Sequence, residues 1–161
     1  MNTVLYFSTR GTVYETRAYT KADIDLLVQN HQLHCLTSTD RQFDFWFSPS
    51  TARCQSRVNV RATELLLATT TFTAKSVPLL PGAIVVATHD ADGDLDGLSW
   101  EQLDLLVRRN LTLTDRQLRV LDRRIQRADR RMARNSRSAA IKPASSAQSR
   151  TPAKRSAQSA A

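Results

Sequence analysis

The chain has 161 residues, of which 41% are hydrophobic and 24% charged, and its formal net charge at pH 7 is +8. A chain of this length and apolar content can bury one ordinary hydrophobic core. No apolar run approaches the ~18 residues of a membrane span, and residues 1–30 lack the features of a secretory signal. Secretion and membrane insertion are therefore disfavoured, and we expect a cytoplasmic protein.

The positive charge is concentrated in the last third of the chain. Residues 1–107 carry 8 Lys+Arg against 12 Asp+Glu, a net of −4, whereas residues 108–161 carry 15 against 3, a net of +12. Clustered arginine binds polyanions favourably because it displaces their counterions. We expect a body at 1–110, an Arg-rich heptad helix at 111–135, and a basic tail at 136–161 that is too poor in apolar residues to fold.

The first elements of the body are predicted from alternation and turn residues. Alternating apolar positions in residues 1–19 predict a β-hairpin that turns at Gly11. Thr20 is a suitable N-cap for a helix that reaches about Asn30, because Asp23 places negative charge in its first turn. The chain therefore opens with a hairpin followed by a short helix.

Two further strands are predicted near 33–38 and 42–48, followed by a loop at 49–55. In the second strand three phenylalanines alternate and must share one face, which places Trp46 on the opposite face. An exposed Trp46 would be a platform for stacking nucleic-acid bases. We expect it instead to pack beneath a helix, and the helix that carries Trp100 is the candidate.

The second half of the body contains two helices and one strand. Asn59 can cap a helix that ends at 69–71, and the apolar run at 83–88 predicts a strand buried on both faces. A turn at 89–97 leads to a helix at 99–109. Four apolar residues are predicted to line the inner side of that helix: Trp100, Leu103, Leu106 and Val107.

These elements predict an α+β fold. A small mixed sheet is formed by the N-terminal hairpin and the strands near 33–38, 42–48 and 83–88, and helices pack against it. A long Arg-rich helix and a disordered basic tail follow the body.

Several short motifs of the body occur in a recognisable order: Asp44 and Trp46 on a strand, then Asn59, Ala62 and Leu66, Gly82 with Val85-Val86, the Asp90 to Gly93 turn, and Leu98. In this order the body, over about residues 13–107, resembles a small phage and mobile-element family known only as a domain of unknown function. The resemblance implies a phage, prophage or plasmid context and no catalytic residue. The basic extension lies outside it.

The extension has the pattern of a coiled-coil helix. Thr114 and Gln117 form a capping box that opens a helix reaching about Asn135. In a parallel homodimer Arg124 would face Asp129 of the second chain. Packing onto the body and docking into the groove of a partner protein are the alternatives. The apolar seam, spaced by three and four residues, consists of Leu118, Leu121, Ile125, Ala128 and Met132.

The rest of the extension is dominated by arginine, which suits bidentate contact with phosphate. No aromatic or Asn side chain interrupts the row, so we expect contacts to the nucleic-acid backbone rather than to bases. The candidate residues are Arg116, Arg119, Arg123, Arg124, Arg127, Arg130, Arg131, Arg134, Arg137, Lys142, Arg150, Lys154 and Arg155.

An acidic turn is the sharpest pattern that suggests a metal. Asp92, Asp94 and Asp96 have the spacing of the first ligands of a calcium loop. Gly97 stands at the sixth position, but Leu103 replaces the Glu required at the twelfth. A solvated turn between a strand and a helix is the alternative that we expect.

The chain offers little for catalysis. Cys35 and Cys54 are too few for a disulfide framework and are expected to be reduced. The sequence has no phosphate-binding glycine loop, no nucleophile elbow and no metalloprotease motif. We therefore expect no cofactor, no bound metal and no enzymatic activity.

The leading hypothesis is a non-enzymatic accessory protein of a phage or plasmid that binds nucleic acid non-specifically through residues 108–155. Truncation near residue 110 should then abolish binding. A second hypothesis is a protein-interaction module that docks a partner through the heptad seam. A third is a protein of unknown function whose basic tail only maintains solubility. The polyanion can be DNA, RNA or an acidic protein.

Overall fold

The computed structural model describes residues 2–29, 32–49 and 57–140, without the side chains of 136–140. The predicted loop at 49–55 lies almost wholly outside the described residues. The strands are β1 (Thr3–Phe7), β2 (Val13–Arg17), β3 (His34–Thr37), β4 (Asp44–Phe47), β5 (Ile84–His89) and β6 (Leu95–Asp96). The helices are α1 (Lys21–Val28), α2 (Val60–Thr69), α3 (Trp100–Leu111) and α4 (Asp115–Ala140).

The strands form one sheet in the order β2-β1-β5-β4-β3, and the short β6 pairs with the end of β5. The predicted α+β class is confirmed. Every neighbouring pair of strands is antiparallel. The prediction of a mixed sheet was therefore wrong. In the central strand β5, Val86 is paired with Leu5 on one side and with Phe45 on the other. The first four residues of β5 are fully buried, which confirms the prediction of a strand buried on both faces.

The hairpin and the first helix form as predicted. Gly11 adopts a φ of 81°, a conformation that glycine reaches without steric cost, and the backbone N–H of Ser8 donates to the carbonyl of Thr12 at 2.8 Å. α1 begins with a capping box in which Thr20 and Asp23 satisfy each other's backbone N–H groups. The hairpin therefore delivers the chain directly into a capped helix.

Helices cover both faces of the sheet. α2, α3 and α4 pack on the face that carries Phe43 and Phe45, where the larger core lies. α1 packs on the opposite face, where Ile24 and Val28 meet Val85. Within the described residues, no helix combines the length and the apolar character needed to cross a membrane.

Trp46 lies beneath a helix, as predicted, but the helix is α1 and not α3. Its side chain packs with the α1 core, and the ammonium nitrogen of Lys21 stands 5.8 Å from the centre of the ring. The reason is the strand alternation: Phe45 faces the larger core, so its neighbour must face α1. Trp46 is therefore no exposed platform for stacking bases.

The inner side of α3 is narrower than predicted. Leu106 is buried and Leu103 packs against the larger core. Trp100 and Val107, predicted to share that side, are 70% and 60% exposed. Helical periodicity identifies residues that share a stripe, but it does not show whether another element covers the whole stripe.

Asn59 is the predicted N-cap of α2, and it also ties three elements together. Its side-chain oxygen accepts a hydrogen bond from the N–H of Ala62 at 3.2 Å. Its amide nitrogen donates to the carbonyls of Ser8 and Gly82, both at 3.0 Å. Because the side chain is buried, these bonds fix the start of α2 against the ends of β1 and β5.

Candidate nucleic-acid interface

The Arg-rich helix α4 is docked on the body along its apolar stripe. Its predicted capping box is present, because the backbone N–H of Thr114 donates to Gln117 at 2.9 Å and that of Gln117 donates to the Thr114 hydroxyl. Leu121 and Ile125 are buried in the larger core. The helix runs through residue 140, so residues 136–140 are helical where a disordered tail was predicted.

The heptad seam packs within the chain, which is one of the three arrangements considered from the sequence. Ala128 and Met132 also pack against the larger core. In this arrangement Leu121 and Ile125 have no exposed surface with which to contact a second helix. The structure therefore does not contain the seam needed for the parallel homodimer, or for docking of a partner protein, that the sequence suggested. The interhelical pair predicted for that dimer is likewise replaced by contacts within the chain.

Arg124 was predicted to bind phosphate, but its side chain instead binds the backbone of the body. Its guanidinium donates to the carbonyl of Ala74 at 2.9 Å and to the carbonyl of Val77 at 3.1 Å. These contacts join α4 to the segment that precedes β5. Because the donors are committed to buried backbone, Arg124 is removed from the candidate interface.

We expect Arg124→Met to lower the free energy of unfolding by about 2 kcal/mol, because two hydrogen bonds from a charged group to backbone carbonyls are lost. The melting temperature should fall by roughly 5 °C. Arg123→Met is the matched control, since Arg123 is exposed on the same helix. Thermal unfolding followed by circular dichroism measures both variants, and equal melting temperatures would contradict the assignment.

Six arginines form a continuous row on the outer side of α4. With about 100° of rotation per residue they fall within an arc of about 80°, opposite the buried stripe. From the first to the last the row is about 27 Å long. All six are exposed. This row, called the arginine arc below, consists of Arg116, Arg119, Arg123, Arg127, Arg130 and Arg134. Arg131, also predicted, is exposed beside it.

Within the described part of the chain, none of the six arginines of the arc forms an ion pair. The aspartates of α4 lie on the flank of the helix, and two of them have other partners. Asp129 accepts a hydrogen bond from the N–H of Val58 at 3.2 Å and stands 3.9 Å from Arg57. Asp122 accepts a hydrogen bond from Gln126 at 2.7 Å. The arc therefore presents uncompensated positive charge to solvent.

The binding segment was predicted to begin at Arg108, but the arginines of α3 are engaged elsewhere. Arg108 pairs with Asp104 on the same helix at 2.6 Å. Arg109 pairs with Asp40 and stacks near the ring of Phe43. Arg109 therefore ties α3 to the turn between β3 and β4, and the free arginines begin on α4.

The remaining predicted residues cannot be placed. Arg137 belongs to α4, but its side chain is among those not described. Lys142, Arg150, Lys154 and Arg155 lie outside the described residues. Their contribution to binding stays a prediction.

The acidic turn is the hairpin that joins β5 to β6. The Asp90 carboxylate accepts hydrogen bonds from the N–H groups of Asp92 and Asp94, at 3.0 Å and 2.9 Å. The side chains of Asp92 and Asp94 are exposed, and Asp96 accepts from the N–H of Gly97. Nowhere in the described ranges do three His, Cys, Asp or Glu side chains converge as metal ligands would. The pattern is explained by turn formation.

The sequence analysis did not predict a half-buried pair formed by Asp44 and His89. The Asp44 carboxylate is 2.7 Å from Nδ1 of His89, and its other oxygen accepts a hydrogen bond from the Thr37 hydroxyl at 2.7 Å. Such a carboxylate orients an imidazole, and His89 borders a cavity of about 340 Å³ that also touches Asp96. Among the described residues none is a nucleophile hydrogen-bonded to His89. The pair links β3, β4 and β5.

Cys35 stands beside this pair but is poorly suited to act as a nucleophile. It is a free cysteine whose residue is solvent-exposed. Partial desolvation of its thiol and the nearby charge of Asp44 raise the pKa of Cys35 to about 12. The thiolate is therefore scarce near neutral pH, and thiolate is the reactive form. Cys54 lies outside the described residues.

Comparison with known proteins adds no relative: no family model, no curated protein and no solved structure matches this chain. The resemblance to the phage and mobile-element family therefore stays a prediction. The geometry of the site alone supports a functional assignment.

Proposed function

We propose that this protein is a non-enzymatic accessory protein that binds the nucleic-acid backbone through the arginine arc of α4. The observation that carries the proposal is the row of six exposed arginines, which form no ion pair with any described residue. They stand on a helix whose opposite side is fixed in the core. A fixed helix places its donors before binding, so less side-chain and backbone freedom is lost on association.

The dimensions of the arc suit a polyphosphate. Successive arginines are three or four residues apart, which corresponds to about 4.5–6 Å along the helix. Duplex DNA rises about 3.4 Å per base pair, so a row of about 27 Å runs beside roughly eight base pairs. Arginine forms bidentate hydrogen bonds with phosphate oxygens that lysine cannot form.

The same surface is unsuited to reading sequence. The only base edge that arginine reads well is that of guanine, and the arc is not interleaved with the Asn or aromatic side chains that recognise other bases or stack on them. Contacts confined to phosphates fix position on the nucleic acid and carry no sequence information. Binding is therefore non-specific, and the basic residues beyond residue 140 add to its electrostatic strength.

The proposal places the protein in the cytoplasm, in a phage or plasmid context, with DNA or RNA as its partner. The net charge of −4 over residues 1–107 keeps the body itself away from the polyanion, so orientation is set by α4. Repulsion between body and phosphate directs the arc toward the nucleic acid.

A competition experiment tests the class of partner. Full-length protein bound to a labelled duplex is displaced by two unlabelled duplexes of equal length and unrelated sequence, by single-stranded RNA, and by polyglutamate. We expect the two duplexes to compete within about twofold of each other and polyglutamate at least tenfold more weakly, because its carboxylates lack the charge density of phosphates. Equal competition by polyglutamate would indicate an acidic protein as the partner and would contradict the proposal.

A further inference from the structure

The β2 edge of the sheet is bordered by apolar side chains that no described part of the chain covers. Val107 and Leu111 on α3 are 60% and 78% exposed, and Val13 on β2 is 44% exposed. All three line a groove of about 590 Å³ between β2 and α3. The exposed apolar residues of α3 thus lie beside β2, which is the edge strand of the sheet.

The backbone of β2 is free to pair along that edge. The N–H of Ser8 donates to Thr12 and the N–H of Ala18 donates to Asn2, so even-numbered residues of β2 bond to β1. The odd-numbered residues of β2 therefore direct their N–H and carbonyl groups outward. Within the described part of the chain no other strand pairs with this side of β2.

We propose that β2 pairs antiparallel with β2 of a second copy of this chain, so that the two sheets become one. The charges on β2 select the register. A two-fold axis at Thr16 places Glu15 opposite Arg17 of the second copy, and the reverse, in the pairs that exchange hydrogen bonds. Moving the axis to Glu15 would place the two Glu15 carboxylates opposite each other.

The apolar groove supports a second copy as the occupant rather than a short peptide. Odd-numbered residues of β2 point to the face of the sheet that carries α3, because Leu5 and Phe7, their register partners on β1, belong to the larger core. With the axis at Thr16, the residues that follow β2 in the second copy lie beside Val13, where Val107 and Leu111 are exposed. They include Tyr19, an apolar ring that is 60% exposed. By contrast, β3 at the other edge carries no exposed large apolar side chain.

The symmetry has a consequence that rests on the proposed function. The two-fold axis of an antiparallel strand pair is perpendicular to the sheet, so both copies present the same face to the same side. Both α4 helices then lie on one side of the continuous sheet, with their arginine arcs facing away from it. A dimer would place two arcs on one nucleic-acid molecule.

A charge swap tests the dimer without nucleic acid. The full chain and the variants Glu15→Arg, Arg17→Glu and the double variant Glu15→Arg/Arg17→Glu are compared by light scattering after gel filtration, from about 5 to 200 µM, a range that covers weak to moderate dimers. We expect the parent chain to be a dimer with twice the monomer mass. Each single variant should be monomeric, and the double variant should be a dimer again.

Val107→Gln is a second variant that leaves the strand charges intact, and we expect it to raise the dimer dissociation constant at least tenfold. Thermal unfolding confirms that every variant is folded. A parent chain that is monomeric throughout, or single charge variants that stay dimeric, would overturn the proposal. Failure of the double variant to dimerise would overturn the register. None of these outcomes depends on nucleic-acid binding, so the two proposals fail separately.

Discussion

The double substitution Leu121→Asp/Ile125→Asp is expected to abolish cooperative unfolding of the protein, because α4 closes the larger core. Both side chains are buried among α2, α3 and the sheet. Each substitution removes a large apolar group and places a carboxylate in a site without partners, at a cost of roughly 3–5 kcal/mol each. Their sum is comparable with the whole stability of a small domain, about 5–15 kcal/mol.

The measurement is urea unfolding followed by tryptophan fluorescence and circular dichroism. The control is Arg123→Asp/Arg127→Asp, which places the same two carboxylates on the exposed side of the same helix and should change stability by no more than about 1 kcal/mol. A cooperative transition near that of the parent in Leu121→Asp/Ile125→Asp would show that α4 is a detachable appendage.

This role of α4 changes how binding has to be tested. Truncation near residue 110, the test that the sequence suggested, removes the helix that covers the core together with the arginines. Loss of binding in such a fragment would not separate loss of contacts from loss of the fold. Point variants of the full chain avoid this difficulty, because the six arginines of the arc are exposed and the buried stripe of α4 stays intact.

Neutralising four residues of the arc should weaken binding to duplex DNA by at least 100-fold near 100 mM salt. The variant is Arg119→Gln/Arg123→Gln/Arg127→Gln/Arg130→Gln, and glutamine preserves helix propensity. Each lost phosphate contact removes a favourable release of counterions. The measurement is fluorescence anisotropy with a labelled duplex of about 20 base pairs.

The matched control removes the same charge from the body, and both variants change the net charge from +8 to +4. Its four substitutions are at exposed cations away from the arc: Arg10→Gln, Lys21→Gln, Arg41→Gln and Lys75→Gln. We expect the control to bind within about threefold of the parent, because distant exposed charges are screened at this salt concentration. Equal losses in the two variants would mean that net charge alone, and not the arc, determines affinity.

The sequence predicted the elements of the fold because their signals are local. The capping residues Thr20 and Asn59, the turn at Gly11 and the alternation around Phe45 each depend on neighbours a few residues away. The two-residue strand β6 carries no such signal, because it exists only through pairing with the end of β5. The sequence analysis assigned the whole apolar stripe of α3 to the core, because helical periodicity does not show which part of a stripe another element covers.

The sequence predicted that the candidate site consists of arginines on one helix, but not which of those arginines are free to bind. Arg123 and Arg124 are adjacent and chemically identical, yet one faces solvent and the other clamps carbonyls about 50 residues away in the chain. The pair of Asp44 and His89 is likewise joined across 45 residues. Only the tertiary arrangement distinguishes a free arginine from a committed one, or brings such partners together.

The most direct test of the central claim is the salt dependence of duplex binding for the parent and the four-arginine variant of the arc. The logarithm of the binding constant is plotted against the logarithm of salt concentration between about 50 and 300 mM. We predict that the slope becomes less steep by about 3.6 in the variant, since each phosphate contact contributes about 0.9, and that the body control keeps the slope of the parent. An unchanged slope in the arc variant would show that these arginines do not contact phosphate, and the account would be wrong.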